Sequence, residues 1–146
     1  MKIKNGELNI FLDYISPIPL SSTEGRMRNK FKKILIEFIQ EYDAYRQELV
    51  KEYSRKDENE TPLTIINSDN QEVGDIEDLT GFTTAFNALA NEYVHIDETI
   101  MNRQMLTILK TISLNDSKEY FGVESDIWEF VCERFEEIKY EDEGEN

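Results

Sequence analysis

Residues 21–56, SSTEGRMRNKFKKILIEFIQEYDAYRQELVKEYSRK, decide the fold that this sequence predicts. Apolar and aromatic side chains recur there every three or four residues, at Met27, Phe31, Leu35, Phe38, Tyr42, Tyr45, Leu49 and Tyr53. This spacing places them on one face of an α-helix. Ser21 followed by Glu24 is typical of a capping box at a helix start. The stretch therefore predicts one amphipathic helix over about residues 22–56, about 50 Å long.

The apolar face of so long a helix must pack against other protein surface, and the sequence allows two packing partners. Later helices of the same chain can pack over it, which makes it a long core helix. Alternatively, the same face of a second copy can pair with it and form a homodimer.

Shorter elements surround this helix. Helical spacing of apolar residues predicts further helices over about 7–15, 79–93, 98–112 and 126–139, with Asp97 and Ser125 as caps of the last two. In the helix over 98–112, the residues expected to point inward are Met101, Met105, Ile108, Leu109 and Ile112. Residues 63–67 and 72–76 flank a polar turn and predict a β-hairpin. Residues 94–96 are expected to form a brief extended link.

The predicted fold class is mainly α. It combines a long amphipathic helix in the N-terminal half, three or four shorter helices and one small β-hairpin. The chain has 146 residues and is 39% hydrophobic, which is typical of one folded domain. We expect a single helical domain over 1–139 and an acidic, mobile tail over 140–146. The composition excludes collagen-like, low-complexity and disulfide-scaffold proteins.

The residues that most often carry catalysis or metal binding are scarce. The chain has one cysteine, Cys132, and one histidine, His95. Cys132 lies in a helical pattern and is expected to be a small core residue, and His95 is expected to point outward. Zinc sites built from Cys and His are excluded by counting, and no phosphate-binding or nucleophile motif is present. We expect no enzymatic activity, no metal and no cofactor.

Charge supplies the candidate binding residues. The formal net charge is −15, and the acidic residues concentrate after residue 56, which disfavours direct nucleic-acid binding. A row of carboxylates, the carboxylate row, is predicted along the last helix, at Asp126, Glu129, Glu133, Glu136 and Glu137. A basic cluster is predicted near the start of the long helix, where Arg26, Lys30 and Lys33 lie opposite the apolar stripe and Arg28 and Lys32 flank it. The carboxylate row is either a solvated face of the helix or a surface that binds in a basic groove of a partner. The cluster either binds an anionic partner or is neutralised by the acidic half of the chain.

Four segments resemble a family of small proteins of unknown function encoded by phages and prophages of Gram-positive bacteria. They are residues 26–31 (RMRNKF), 48–58 (ELVKEYSRKDE), 94–97 (VHID) and 131–136 (VCERFE). After the KDE string the family has Gly-x-Pro, whereas this chain has Asn59-Glu60-Thr61-Pro62. The resemblance implies a phage origin and supplies no catalytic residues.

These observations favour a non-enzymatic phage accessory protein that acts by protein–protein contact. Its expected location is the host cytoplasm during infection, since no apolar run approaches a membrane span. Two alternatives stay open. One is an acidic inhibitor that mimics nucleic acid and blocks a host defence or nucleic-acid-handling complex. The other is a minor virion or assembly component.

Overall fold

The computed structural model describes residues 1–139, and its longest element is one helix, α2, Ser22–Tyr53. The hydroxyl of Ser21 donates to a carboxylate oxygen of Glu24 at 2.8 Å, just ahead of the first turn. The helix stops where Ser54 enters a β-bridge with Ile76. The long helix predicted from the apolar spacing is therefore confirmed, slightly shorter than expected.

Short elements surround α2, and within residues 1–139 they comprise four more α-helices, one 3₁₀ turn and two small antiparallel sheets. In chain order they are β1 Lys2–Lys4, the 3₁₀ turn Asn5–Glu7, α1 Leu8–Ile15, β2 Thr64–Ile66, β3 Glu72–Gly74, α3 Leu79–Ala90, β4 Tyr93–His95, α4 Ile100–Leu114 and α5 Val123–Glu136. The mainly α fold class and the hairpin β2–β3 are confirmed. Residues 140–146, predicted to be a mobile tail, lie outside the described residues.

The second sheet pairs β1 with β4, with Ile3 opposite Val94. The sequence predicts only an extended link at residues 94–96 and no strand before α1. The backbone N–H of Ile96 donates to the Met1 carbonyl at 2.9 Å and continues this pairing. Local periodicity cannot reveal such a sheet, because its two strands come from distant parts of the chain.

Two predicted helix starts are wrong by a few residues. Thr99 rather than Asp97 precedes α4, and Gly122 rather than Ser125 precedes α5. Gly122 has φ 58° and ψ −127°, a conformation that glycine adopts at little steric cost. The chain therefore turns sharply at Gly122, and α5 begins earlier than its polar cap residue suggests.

The inward face of α4 also differs from the prediction. Met101, expected to point inward, is 77% exposed, whereas Leu106 and Ser113 are buried with Met105 and Leu109. The buried face is thus rotated around the helix toward Leu106 and Ser113. Because α4 begins only at Ile100, Met101 lies in its first turn at the edge of that face.

The described chain divides into two units, residues 1–39 with 93–139, and residues 40–92. The single domain predicted over 1–139 stays a prediction. In the first unit, the largest fully buried hydrophobic side chains belong to α1, α2, α4, α5, β1 and the residue before β1: Phe11, Phe31, Phe135, Met1, Ile3, Leu8, Ile15, Leu35, Met105, Leu106 and Val131. The ring of Phe135 lies 5.9 Å from that of Phe11 and 6.0 Å from that of Phe31, which makes it a centre of this core.

The second unit contains the C-terminal part of α2, the hairpin and α3. Tyr42 is buried, and the ring of Tyr53 packs edge-on against that of Phe82 at 6.1 Å. A Cβ added at Gly74 would lie 2.5 Å from a methyl group of Val50. Only glycine therefore fits at this position, where the hairpin packs against α2. The apolar stripe of α2 is thus covered within both units, as the core-helix interpretation predicts.

Candidate functional site

The carboxylate row runs along α5 to the residue that caps it and consists of Asp126, Glu129, Glu133, Glu136 and Glu137. All five residues are exposed, as the helical pattern predicts. The opposite side of the helix holds Val131, Cys132 and Phe135, which are buried. The packing of α5 into the core therefore fixes which way the row faces, namely toward solvent.

Among residues 1–139, only one carboxylate of the row has an ion-pair partner. Glu137 pairs with Arg134 at 3.2 Å, but the same guanidinium binds both carboxylate oxygens of Glu7, at 2.8 and 3.2 Å. The Glu7 hydrogen bond raises the pKa of Arg134, so this residue stays a cation engaged with the N-terminal region. Within residues 1–139, the other four carboxylates of the row make no ion pair or side-chain hydrogen bond.

The basic cluster does not form one free surface. Arg28 donates to the carbonyl oxygens of Ile15 (3.5 Å) and Ile18 and so holds the loop between α1 and α2. Its Nε is buried and has no partner among the described residues. Lys30 donates to the Met101 carbonyl at 3.0 Å. Both side chains therefore bind backbone carbonyls, whereas Arg26 is exposed.

His95 and Cys132 are placed as the sequence predicts. His95 is exposed on β4, and Cys132 is buried. Burial raises the pKa of the Cys132 thiol to about 11, so it is a neutral thiol at neutral pH. Among residues 1–139, no three His, Cys, Asp or Glu side chains come together as metal ligands would. In the same residues, no helix is both long and apolar enough to cross a membrane.

A groove in the first unit is the feature that the sequence does not predict. It has a volume of about 540 Å³ and lies between α1, the loop that follows α1, the loop that precedes α5 and the first turns of α5. Its apolar lining comes from Ile10, Pro17, Ile18, Pro19 and Ile127, and its polar lining from Asp13, Tyr14, Asp116, Lys118, Tyr120 and Glu124. Clefts of this size are typical of ligand-binding sites.

Asp116 lies in a hydrogen-bonded cluster in the lining of this groove. It accepts hydrogen bonds from the hydroxyls of Tyr14, at 2.9 Å, and Tyr120, and from the backbone N–H of Lys118 at 3.0 Å. Burial alone would favour the protonated acid, but these hydrogen bonds outweigh it and lower the pKa of Asp116. The carboxylate is therefore charged at neutral pH, although its hydrogen-bond partners are all neutral.

The two tyrosines respond in the opposite sense. Burial and the hydrogen bond to Asp116 raise the pKa of Tyr120 to about 12 and raise the pKa of Tyr14 as well. Tyr120 also stacks on Trp128 at 6.1 Å, and the indole N–H of Trp128 donates to the Ser113 carbonyl at 3.0 Å. The cluster therefore joins α1, the loop before α5 and α5 itself with neutral hydroxyls and one fixed negative charge.

Comparison with known proteins gives no match to this chain among family models, characterised proteins or solved structures. The resemblance to a phage family accordingly stays a prediction from the quoted segments.

Proposed function

We propose that this chain is a non-enzymatic accessory protein that acts by binding a basic protein partner through the carboxylate row. The observation that carries the proposal is that Asp126, Glu129, Glu133 and Glu136 are exposed and make no ion pair within residues 1–139. A face of one charge sign accelerates encounter with a partner of the opposite sign and excludes partners of the same sign.

We also propose that the protein is encoded by a phage. This part of the proposal rests on the resemblance to the phage family, which covers residues 26–31, 48–58, 94–97 and 131–136. With that origin, the place of action is the cytoplasm of an infected Gram-positive host. The partner is then a host or phage protein that presents lysine or arginine side chains.

The test is affinity capture of the tagged protein from infected host lysate, read by mass spectrometry. The decisive variant carries Glu129→Lys, Glu133→Lys and Glu136→Lys, because these residues are exposed and make no ion pair or side-chain hydrogen bond within residues 1–139. The matched control carries Glu52→Lys, Glu58→Lys and Asp69→Lys, three exposed positions outside α5. Both variants change the net charge equally.

We expect wild type and control to capture the same main partner and the α5 variant to lose it. Capture should also weaken steeply as salt rises, since exposed charge pairs are screened. Retention of the partner by the α5 variant would reject the row as the interface. Phage tail or capsid proteins as main partners would indicate an assembly role.

The regular spacing of the row favours one second candidate, an inhibitor that mimics nucleic acid. Glu129, Glu133 and Glu137 follow one another every four residues, about 6 Å along the helix axis. A line of evenly spaced negative charges can occupy a groove built for phosphates. Excess duplex DNA or RNA added to the captured complex should then release the partner. Failure of both nucleic acids to compete would leave ordinary protein contact.

A further inference from the structure

We propose that the groove between α1 and the loop before α5 binds a cationic side chain, arginine or lysine, carried by an apolar segment of a partner protein. This site is separate from the carboxylate row, because none of the five residues of the row lines the groove. The proposal goes beyond the proposed function and does not require the row to bind anything.

The charges around the groove favour a cation. Three carboxylates line it, those of Asp13, Asp116 and Glu124, against one ammonium, that of Lys118. Asp116 makes no ion pair within residues 1–139, and its hydrogen bonds come from two hydroxyls and one backbone N–H. The exposed Lys118 ammonium acts on this carboxylate only through space and helps to lower its pKa. An incoming cation that paired with Asp116 directly would compensate the charge more fully.

The aromatic lining fits the same ligand. The Nζ of Lys118 already lies 5.3 Å from the centroid of the Tyr120 ring, which shows that this ring can face a cation. Lys118 itself is exposed, so it can move aside when another cation enters. A guanidinium or ammonium group in the groove would meet Tyr120 and the carboxylate of Asp116 together.

Two exposed apolar side chains next to the groove in the chain favour a protein segment over a small molecule as the carrier of the cation. Phe121 and Val123 are 77% and 74% exposed, and they adjoin the lining residues Tyr120 and Glu124 in the chain. The turn at Gly122 lies between them. A small molecule inside the groove would leave these side chains in water, whereas an apolar segment that extended from the groove over residues 121–123 would cover them.

Fluorescence of Trp128, the single tryptophan, tests the proposal, because its indole stacks on Tyr120. The probe is acetyl-leucyl-arginyl-leucine amide, titrated into the full chain to millimolar concentration. The reference probe has citrulline in place of arginine, which keeps the shape and removes the charge. We expect a saturable change with the arginine peptide and about tenfold weaker binding of the citrulline peptide.

Matched variants locate the binding. Asp13→Asn and Glu124→Gln should each weaken binding of the arginine peptide about threefold, and Lys118→Met should strengthen it by a similar factor. All three positions are exposed, so the fold does not depend on them. Glu129→Gln removes the same charge from the same helix outside the groove and should change nothing.

Three results would overturn the proposal. They are the absence of a saturable change, equal binding of the arginine and citrulline peptides, and an effect of Glu129→Gln as large as that of Glu124→Gln. The last result would move the cation site to the carboxylate row. The converse outcome is that the peptide binds in the groove while the α5 variant still captures the partner. That combination would support this inference and reject the proposed function.

Discussion

Glu60 shows how a single residue departs from its local preference. Its φ is 63°, in the left-handed region that side chains with a Cβ disfavour. The turn that contains it is held by Asp57, whose side chain accepts from the backbone N–H groups of Asn59 at 2.8 Å and Thr61 at 3.0 Å. Asn70 has a similar φ of 61°, but asparagine tolerates this region better.

Glu60→Gly should therefore stabilise the protein. Relief of the left-handed conformation outweighs the added chain entropy of glycine in the unfolded state, for a net gain of about 0.5 kcal/mol. Asn70→Gly is the matched control and should gain less. Urea denaturation of both variants measures the difference. An Asn70→Gly variant that gains as much as Glu60→Gly would show that the conformation of Glu60 carries no special cost.

At the scale of elements, the cluster of Tyr14, Asp116 and Tyr120 links α1 to the segment between α4 and α5. The folded state raises the pKa values of both tyrosines above their ordinary value of about 10. The stability that this provides is fully present below that ordinary value. This stability is lost as the pH rises above about 10 and passes through the higher pKa values of the folded state.

The wild-type protein should therefore lose stability between about pH 10 and 12 more steeply than the Tyr14→Phe/Tyr120→Phe double variant. The variant lacks these two ionisations, although it will be less stable at neutral pH because Asp116 loses two hydrogen bonds. Thermal unfolding across this pH range measures the two slopes. Equal slopes would show that the tyrosine hydroxyls are not held neutral by the fold.

The sequence predicts the helices well and the groove not at all, for one physical reason. Helices are local, so the spacing from Met27 to Tyr53 is enough to predict α2. The hydrogen bond between Tyr14 and Asp116 joins residues 102 positions apart. No pattern within either segment specifies that contact. The β1–β4 sheet is missed for the same reason, because its strands are far apart in the chain. The carboxylate row comes from one segment, so helical spacing alone predicts that its residues share a face.

At the scale of the whole molecule, the apolar stripe of α2 bears on oligomeric state. Phe31, Leu35 and Tyr42 are buried within this chain, and Tyr45, at 44% exposure, is the one exposed residue of the stripe. A homodimer through this face would have little apolar surface left to bury.

We therefore expect a monomer at high micromolar concentration. Sedimentation equilibrium over a hundredfold dilution series should give one constant mass. A mass that doubles with concentration, and that returns to the monomer value in Tyr45→Glu, would establish the homodimer through α2 instead.

Zero-length carbodiimide crosslinking tests the central claim most directly, since it joins a carboxylate only to an amine in contact with it. The captured complex is crosslinked and digested, and the joined peptides are identified by mass spectrometry. We expect links from Glu129, Glu133 and Glu136 to lysines of the partner. Partner links confined to carboxylates of residues 40–92, with none on α5, would contradict the assignment of the carboxylate row as the binding surface.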